Sequence, residues 1–342
     1  MASTTIANLW TPQIWIPQVD EVTRTRPALI TSRSVVQGGQ FDEIASGGGT
    51  IANLPFFKDL TDTAEGIQVE LTAPTLNNLT SGTQLCPILN REVAFAVGAL
   101  SNAVTGPDAD PVASITNQLG VARQKRMQVT LLNILRGLFN FSAAPGGAAA
   151  LSTVRSDISI EAGATAVAAN LISNAAFNSA AALLSELQTN AIDGAIWCHP
   201  NIRAALLTQD ANSFERISRG DFILETYKGI PVYVSNLLSR AGSTSGTVYD
   251  TYLMAPRAIA IGMKPQTDSI DAASLQYYRR PDINDEQIYD RTRYCVHVAG
   301  TAFTGTPAGQ SATNAELATA ANWSLRFQTA DRCGIVQLRT NG

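Results

Sequence analysis

The order of signals between Gln37 and Asn140 constrains this chain more than any other stretch. Three consecutive glycines, Gly47, Gly48 and Gly49, open a long segment, Ile51–Val97, that is rich in alternating, β-leaning residues. Asp110-Pro111 then starts a helix, an N-cap side chain followed by proline at the first helical position. No further proline intervenes before Asn140, which predicts a helix on the order of 40–45 Å. A loop of that length, rooted on glycines and followed by a lone long helix, is poorly placed to bury itself in its own domain. It reads as a segment that reaches a neighbour, and the chain as an assembling subunit.

The local patterning supports a mixed α+β architecture. Ile67, Val69 and Leu71 alternate within Gly66–Ala73, the period of a half-buried strand, and Pro74, Asn77, Asn78, Ser81 and Gly82 mark the return of a hairpin over residues 50–90. On the long helix Ile115, Leu119, Ala122 and Val129 form one stripe. From Met127 onward apolar positions run almost all round, which predicts burial on several sides. Further on, Thr153–Ile160 reads as a strand and alanine-rich Ala164–Thr189 as helical, with a break near Asn174–Asn178. Ala195–Cys198 reads as a buried strand and His199-Pro200 as the start of a helix through Leu207. Phe222–Tyr227 and Ile230–Val234 form a hairpin about Lys228-Gly229, and Val248–Met254, Ala258–Gly262, Ser274–Arg280 and Gln287–Ala299 are further strands. The regular βαβ rhythm of a doubly wound sheet is missing.

Charge narrows the partners. Only 15% of residues are charged, against 45% hydrophobic, a composition suited to a surface mostly covered by copies of itself. The net charge of −4 gives no global attraction to nucleic acid. Residues 1–46 form an arm read as irregular, with Trp10 and Trp15 as anchors for another surface and with charges that nearly cancel. The most uneven distribution lies between loop and helix. Pro111–Ser156 holds Arg123, Lys125, Arg126, Arg136 and Arg155 and no acid, whereas Lys58–Glu70 carries Asp59, Asp62, Glu65 and Glu70 against Lys58 alone. A neighbour's acidic loop over the basic helix, met by Arg123 and Arg126, is the expected contact; the plain alternative is a solvated helix face or one turned to internal DNA phosphates.

With that order laid out, the chain resembles the major capsid proteins of tailed bacteriophages, whose Hong Kong 97-type fold encapsulins share. The stretches that carry the resemblance are Phe41–Leu60 (FDEIASGGGTIANLPFFKDL), the helix Asp110–Asn140, Ala195–Leu207 (AIWCHPNIRAALL), Tyr227–Val234 (YKGIPVYV), Arg291–Gly300 (RTRYCVHVAG) and Thr313–Gly342. The resemblance implies an N-terminal arm (1–46) and an extended loop (47–90). It also implies a peripheral domain (91–160 and 268–342) with a spine helix at 111–140, and an inserted axial domain (161–267). It implies pentamers and hexamers of this subunit in an icosahedral shell around packaged double-stranded DNA held without sequence specificity. A separate scaffolding protein, a portal and a cementing protein are implied as further partners, with assembly in the host cytoplasm. With some 40 residues ahead of the loop, no built-in scaffold is expected. Gly47–Gly49 would be the hinge as loop and arm shift during shell expansion. An encapsulin-type compartment is the alternative within the fold.

Enzyme equipment is scarce. Cys86, Cys198, Cys295 and Cys333 form no CxxC pair and read as free thiols. Cys198-His199 and Cys295/His297 would offer zinc ligands for a metal-dependent hydrolase only if brought together, with the members of the first pair expected on opposite faces of a strand. Gly47–Gly49 lacks the lysine of a phosphate loop. No catalytic residue, cofactor or metal site is assigned, and no stretch is long and apolar enough to cross a bilayer. Some capsid relatives join subunits by lysine–asparagine isopeptide bonds. Lys58, the loop's only lysine, reads instead as solvated or ion-paired, and neither Asn314 nor Asn322 matches the acceptor.

Overall fold

The computed structural model describes residues 27–60, 66–68, 70, 73, 76–98, 111–140, 149–160, 166–187, 194–219, 222–241, 247–267 and 270–342. The chain begins with β1 (Val35–Gln37), α1 (Gln40–Ser46), β2 (Ile51–Phe57), β3 (Ser81–Gly98) and the spine helix α2 (Pro111–Leu138). It continues through β4 (Arg155–Asp157), α3 (Asn174–Ala182), β5 (Ala195–Cys198), α4 (Pro200–Gln209), β6 (Phe214–Arg219), β7 (Phe222–Tyr227) and β8 (Ile230–Val234). Next come β9 (Ser239–Ala241), β10 (Thr247–Met254), β11 (Ile259–Met263), β12 (Ser274–Arg280) and β13 (Asp285–Val298). It closes with β14 (Thr301–Phe303), α5 (Asn314–Leu317), β15 (Trp323–Leu325) and β16 (Ile335–Thr340).

Two sheets organise these elements. The first runs β1-β11-β13-β3-β14-β15, with β12 beside β13 and β2 beside β3; the second runs β4-β16-β10-β5-β8-β7-β6, with β9 beside β10. The spine helix, about 42 Å long at 1.5 Å per residue, buries Met127, Leu131, Leu132, Ile134, Leu135 and Leu138 in one core that includes Ile196 and Trp197 of the second sheet and Val296 and Val298 of the first. Its apolar C-terminal half is thus enclosed on several sides, as the sequence predicts, while Val129 keeps 36% of its surface. Its expected cap, Asp110, lies outside the described residues. At Gly137 an added Cβ would sit 2.2 Å from the Leu317 carbonyl oxygen, so this glycine lets α5 and Trp323 close onto the helix.

The arm departs from expectation. Residues 27–46 are ordered against the body: Leu29 and Ile30 are buried, β1 pairs in parallel with β11, and α1 packs over β11. Gly262 permits that packing, since a Cβ there would lie 2.0 Å from the Phe41 carbonyl oxygen. Trp10 and Trp15 lie outside the described residues. Strand β11, within the range expected for the axial insertion, belongs to the first sheet. Strand β16, within the range expected for the peripheral domain, lies between β4 and β10 in the second. Every residue of β16 is buried, the condition of an interior strand. The alanine-rich segment gives a shorter helix than expected, Asn174–Ala182, and it starts where a break is expected because the Ser173 hydroxyl accepts from the Ala176 N–H at 3.1 Å.

Candidate subunit-contact surface

The loop is a real hairpin at its root. Ile51 to Phe57 pair antiparallel with Pro87 to Ser81, and the Lys58 N–H donates to the Thr80 carbonyl at 2.9 Å. Beyond Pro87, β3 pairs with β13 from Ile88 to Gly98. Proline, which has no N–H to give, stands where the strand changes partners. The described residues of Gly66–Ala73 form no strand, contrary to the alternation there. The result is a concentration of bare apolar side chains: Phe57 at 72% exposure, Leu60 at 56%, Ile67 at 93%, Leu76 at 87% and Leu79 at 53%. Single exposed apolar residues are ordinary, but five on one projecting segment are not.

The root is tied to the body by contacts the sequence reading did not weigh. Phe56 meets Phe327 edge to face at 5.5 Å between centroids, and Arg332 Nη1 donates to Asp59 Oδ2 at 2.9 Å. With Lys58, Thr80, Arg326 and Gln328 these residues line a cleft of about 450 Å³. The glycine hinge is held as well. Arg293 of β13 donates to the carbonyls of Ala45 (2.8 Å), Gly47 (2.5 Å) and Gly49 (3.0 Å), and of the three hinge glycines only Gly49 takes a positive φ, +90°. Asp59 therefore has an intrachain partner, Lys58 and Glu70 are exposed, and Asp62 and Glu65 lie outside the described residues.

Arg123 and Arg126 do share one face of the spine helix. That face, however, meets Asp290 of their own chain. Asp290, whose side chain is wholly buried, accepts from Arg123 at 2.9–3.1 Å, from Arg126 Nη2 at 2.9 Å and from Gln266 Nε2 at 2.9 Å. Two guanidiniums to one carboxylate leaves the strip positive. It borders a groove of about 290 Å³ between helix and sheet, where Arg91, Lys125 and Val129 also contribute. A strand reading DRTR over 290–293 was the available signal for these charged contacts, since alternate residues of a strand face different neighbours.

The cysteine–histidine pairs stay apart, on different sheets. Cys198 is buried on β5, while His199 sits just past the strand and caps α4, its Nδ1 accepting from the Asn201 N–H at 3.2 Å. Cys295 and His297 lie on β13, where His297 Nε2 and Gln84 Oε1 are 2.7 Å apart and the Gly300 N–H donates to the same oxygen at 2.8 Å. Burial lowers the His297 pKa to about 4 and pushes the Cys198 and Cys333 thiols up to about 12. Cys86 is raised well above the usual thiol range by its hydrogen bond with Cys295 and by burial. Among the described residues no group of three or more His, Cys, Asp or Glu is arranged to hold a metal ion. Asn314 and Asn322 are engaged internally, Asn314 with Arg91 and Asn322 with the Glu316 carbonyl.

The two sheets crossed by one long helix, with a hairpin projecting from a strand of the first sheet, are the α+β Hong Kong 97-type capsid fold. The chain is similar to the capsid of Ralstonia phage GP4 at a TM-score of 0.61 and 12% identity, over 100% of this chain and 98% of that one. It is similar to the holo-SrpI encapsulin complex from Synechococcus elongatus PCC 7942 (TM-score 0.56, 12% identity, 100% and 96% covered). The capsid of cyanophage Pam1 is likewise similar (TM-score 0.53, 14% identity, 99% and 98% covered). No protein-family model and no curated protein matches the chain.

Proposed function

We propose that this chain is a structural coat subunit with no catalytic role. It self-assembles as pentamers and hexamers into the icosahedral shell of a tailed phage, built in the host cytoplasm around packaged double-stranded DNA. The observation that carries this reading is the projecting hairpin with five large apolar side chains bare in a single copy. Burying such side chains is worth about 1.5–3 kcal/mol each, and a shell of identical copies supplies the cover. The full-length likeness to phage capsids and an encapsulin gives the same direction.

Within the shell, the acids Asp62, Glu65 and Glu70 of one copy lie toward the positive strip at Arg123 and Arg126 of the next, while Asp59 stays with Arg332 of its own chain, with Trp10 and Trp15 anchoring the arm and Gly47–Gly49 as the pivot. The 2:1 ratio of guanidinium to carboxylate at Asp290 supports this, because it leaves cationic charge for a second partner. Scaffold, portal and cementing proteins are the remaining partners of the reading.

Negative-stain imaging and size-exclusion chromatography of the purified chain test it. Closed megadalton particles are expected, and a monodisperse monomer at high concentration refutes the reading. Nuclease-sensitive contents identify a phage shell, whereas a protein cargo identifies the encapsulin-type compartment. Charge reversal at Asp62 and Glu65 tests the finer contact; unimpaired assembly at both low and high salt removes it.

A further inference from the structure

Two of the four buried cysteines meet under α1. Cys295 of β13 stands opposite Ile88 of β3, and Cys86 is the next residue on that face of β3. Cys86, Ile88, Cys295 and Ala45 of α1 pack into a cluster of their own, with Phe41 and Ile44 of α1 against it. The Cys86 thiol is hydrogen-bonded to Cys295, and the Cys295 thiol in turn donates to the Phe41 carbonyl at 3.5 Å. Cys198 and Cys333 belong to the main core instead.

The spacing approaches that of a disulfide. Diagonal neighbours on paired strands have Cα atoms ~7–8 Å apart, and a disulfide accepts up to about 6.8 Å. A shift of the order of 1 Å closes the gap. Cys86 can make that shift, because the ladder between β3 and β13 ends at Ile88 and Cys295. Beyond Pro87, Cys86 pairs with Ala52 of β2, inside the hairpin.

The pair also divides the work of oxidation. The hydrogen bond from Cys86 holds the Cys295 thiol below its usual range, while the same bond and burial hold Cys86 above it. Cys295 is therefore the thiolate that attacks, and Cys86 the thiol that resolves. With hydrogen peroxide as oxidant, the Cys295 thiolate attacks one oxygen and breaks the O–O bond, leaving a sulfenic acid and hydroxide. The Cys86 sulfur then attacks the sulfenic sulfur, forms the S–S bond and expels water. Two electrons pass from the two sulfurs to the peroxide. Two thiols and one peroxide give one disulfide and two waters.

We propose that Cys86 and Cys295 form an oxidative cross-link site, closed by a hydroperoxide into a disulfide that ties the root of the projecting hairpin to β13 of the same copy. The inference goes beyond the subunit reading and stands apart from it, since both thiols belong to one chain. In a reducing compartment the pair stays open, and an oxidising one closes it.

Hydrogen peroxide added to the full-length chain, followed by alkylation with iodoacetamide in denaturant and non-reducing tryptic digestion, tests it. Residues 59–91 and 294–326 are single tryptic peptides, and each holds one of the two cysteines. A species of their combined mass less two hydrogens should appear. Alkylated thiols should fall from four per chain by the two that join, and dithiothreitol should restore all four. On a non-reducing denaturing gel the oxidised chain should stay at the monomer position. Cys86→Ser should abolish the linked species and leave Cys295 as a sulfenic acid that dimedone traps, whereas Cys198→Ala should leave the link unchanged. Four alkylated thiols after peroxide, a link between any other pair, or Cys295 taken to sulfinic acid while Cys86 is still alkylated overturns the inference. A dimer on the gel does so too, since it places the bond between copies. If Cys86→Ser fails to fold, the wild-type peptides decide alone.

Discussion

Asp290→Ala separates an intrachain role of the spine-helix arginines from an intersubunit one. The carboxylate is fully buried and accepts hydrogen bonds from Arg123, Arg126 and Gln266. Removing one partner of a buried ion pair costs about 3–5 kcal/mol, because the remaining charge is left uncompensated. Here the arginine side chains are 21% and 39% exposed, so water recovers part of that. A loss of about 2–4 kcal/mol is expected, drawn from the same range and discounted for solvent. With a urea slope near 3 kcal/mol per M, the unfolding midpoint of the unassembled chain should fall by roughly 1 M. The assay is urea denaturation followed by tryptophan fluorescence, below the concentration at which particles form. A midpoint shift under about 0.3 M, less than ~1 kcal/mol at that slope, would refute the reasoning. It would mean that Asp290 and the arginines matter only when a second copy is present.

Other outcomes follow from the same contacts. His297 has its pKa lowered to about 4 by burial, below the ordinary value of 6.5, so the unfolded chain binds the extra proton first. Its stabilising contribution is complete above about pH 6.5 and is lost progressively down to about pH 4, up to ~3 kcal/mol in all. Urea midpoints of wild type and His297→Gln, compared at pH 7.5 and 4.5, should show a smaller drop in the variant. Gly262→Ala drives a Cβ against the Phe41 carbonyl, so α1 must shift; a loss of about 1–3 kcal/mol is expected, with faster proteolysis within residues 27–46. The Asp59–Arg332 pair is partly exposed, at 46% and 38%. A double-mutant cycle with alanine at both positions should therefore give a coupling of only about 0.2–1 kcal/mol.

Legibility in the sequence tracked the range of the interactions. The strand Ser274–Arg280 and the turn at Lys228-Gly229, where both residues take positive φ as a two-residue hairpin requires, are written in adjacent residues. So is the body of the spine helix. The ordering of residues 27–46 is not, because β1 pairs with a strand more than 220 residues away and α1 depends on the missing side chain of Gly262. Long separation also keeps the Asp290 and Arg293 contacts out of the local pattern, with 167 residues between Arg123 and Asp290 and 248 between Ala45 and Arg293. The pairing of β11 with β13 and of β16 with β10 is likewise a matter of distant partners, which composition does not encode. In Gly66–Ala73 the pattern announces a strand, whereas the described residues there form none.

The shared strand β3 has a mechanical consequence. Its outer part belongs to the hairpin and its inner part to the ladder with β13, with Pro87 between. A pull on the hairpin tip runs lengthwise down β3 and reaches that ladder as shear, loading its rungs together instead of peeling them one at a time. A lengthwise load on β3 is thus spread over the whole ladder with β13, while the Arg293 contacts to Ala45, Gly47 and Gly49 lie outside that line of force.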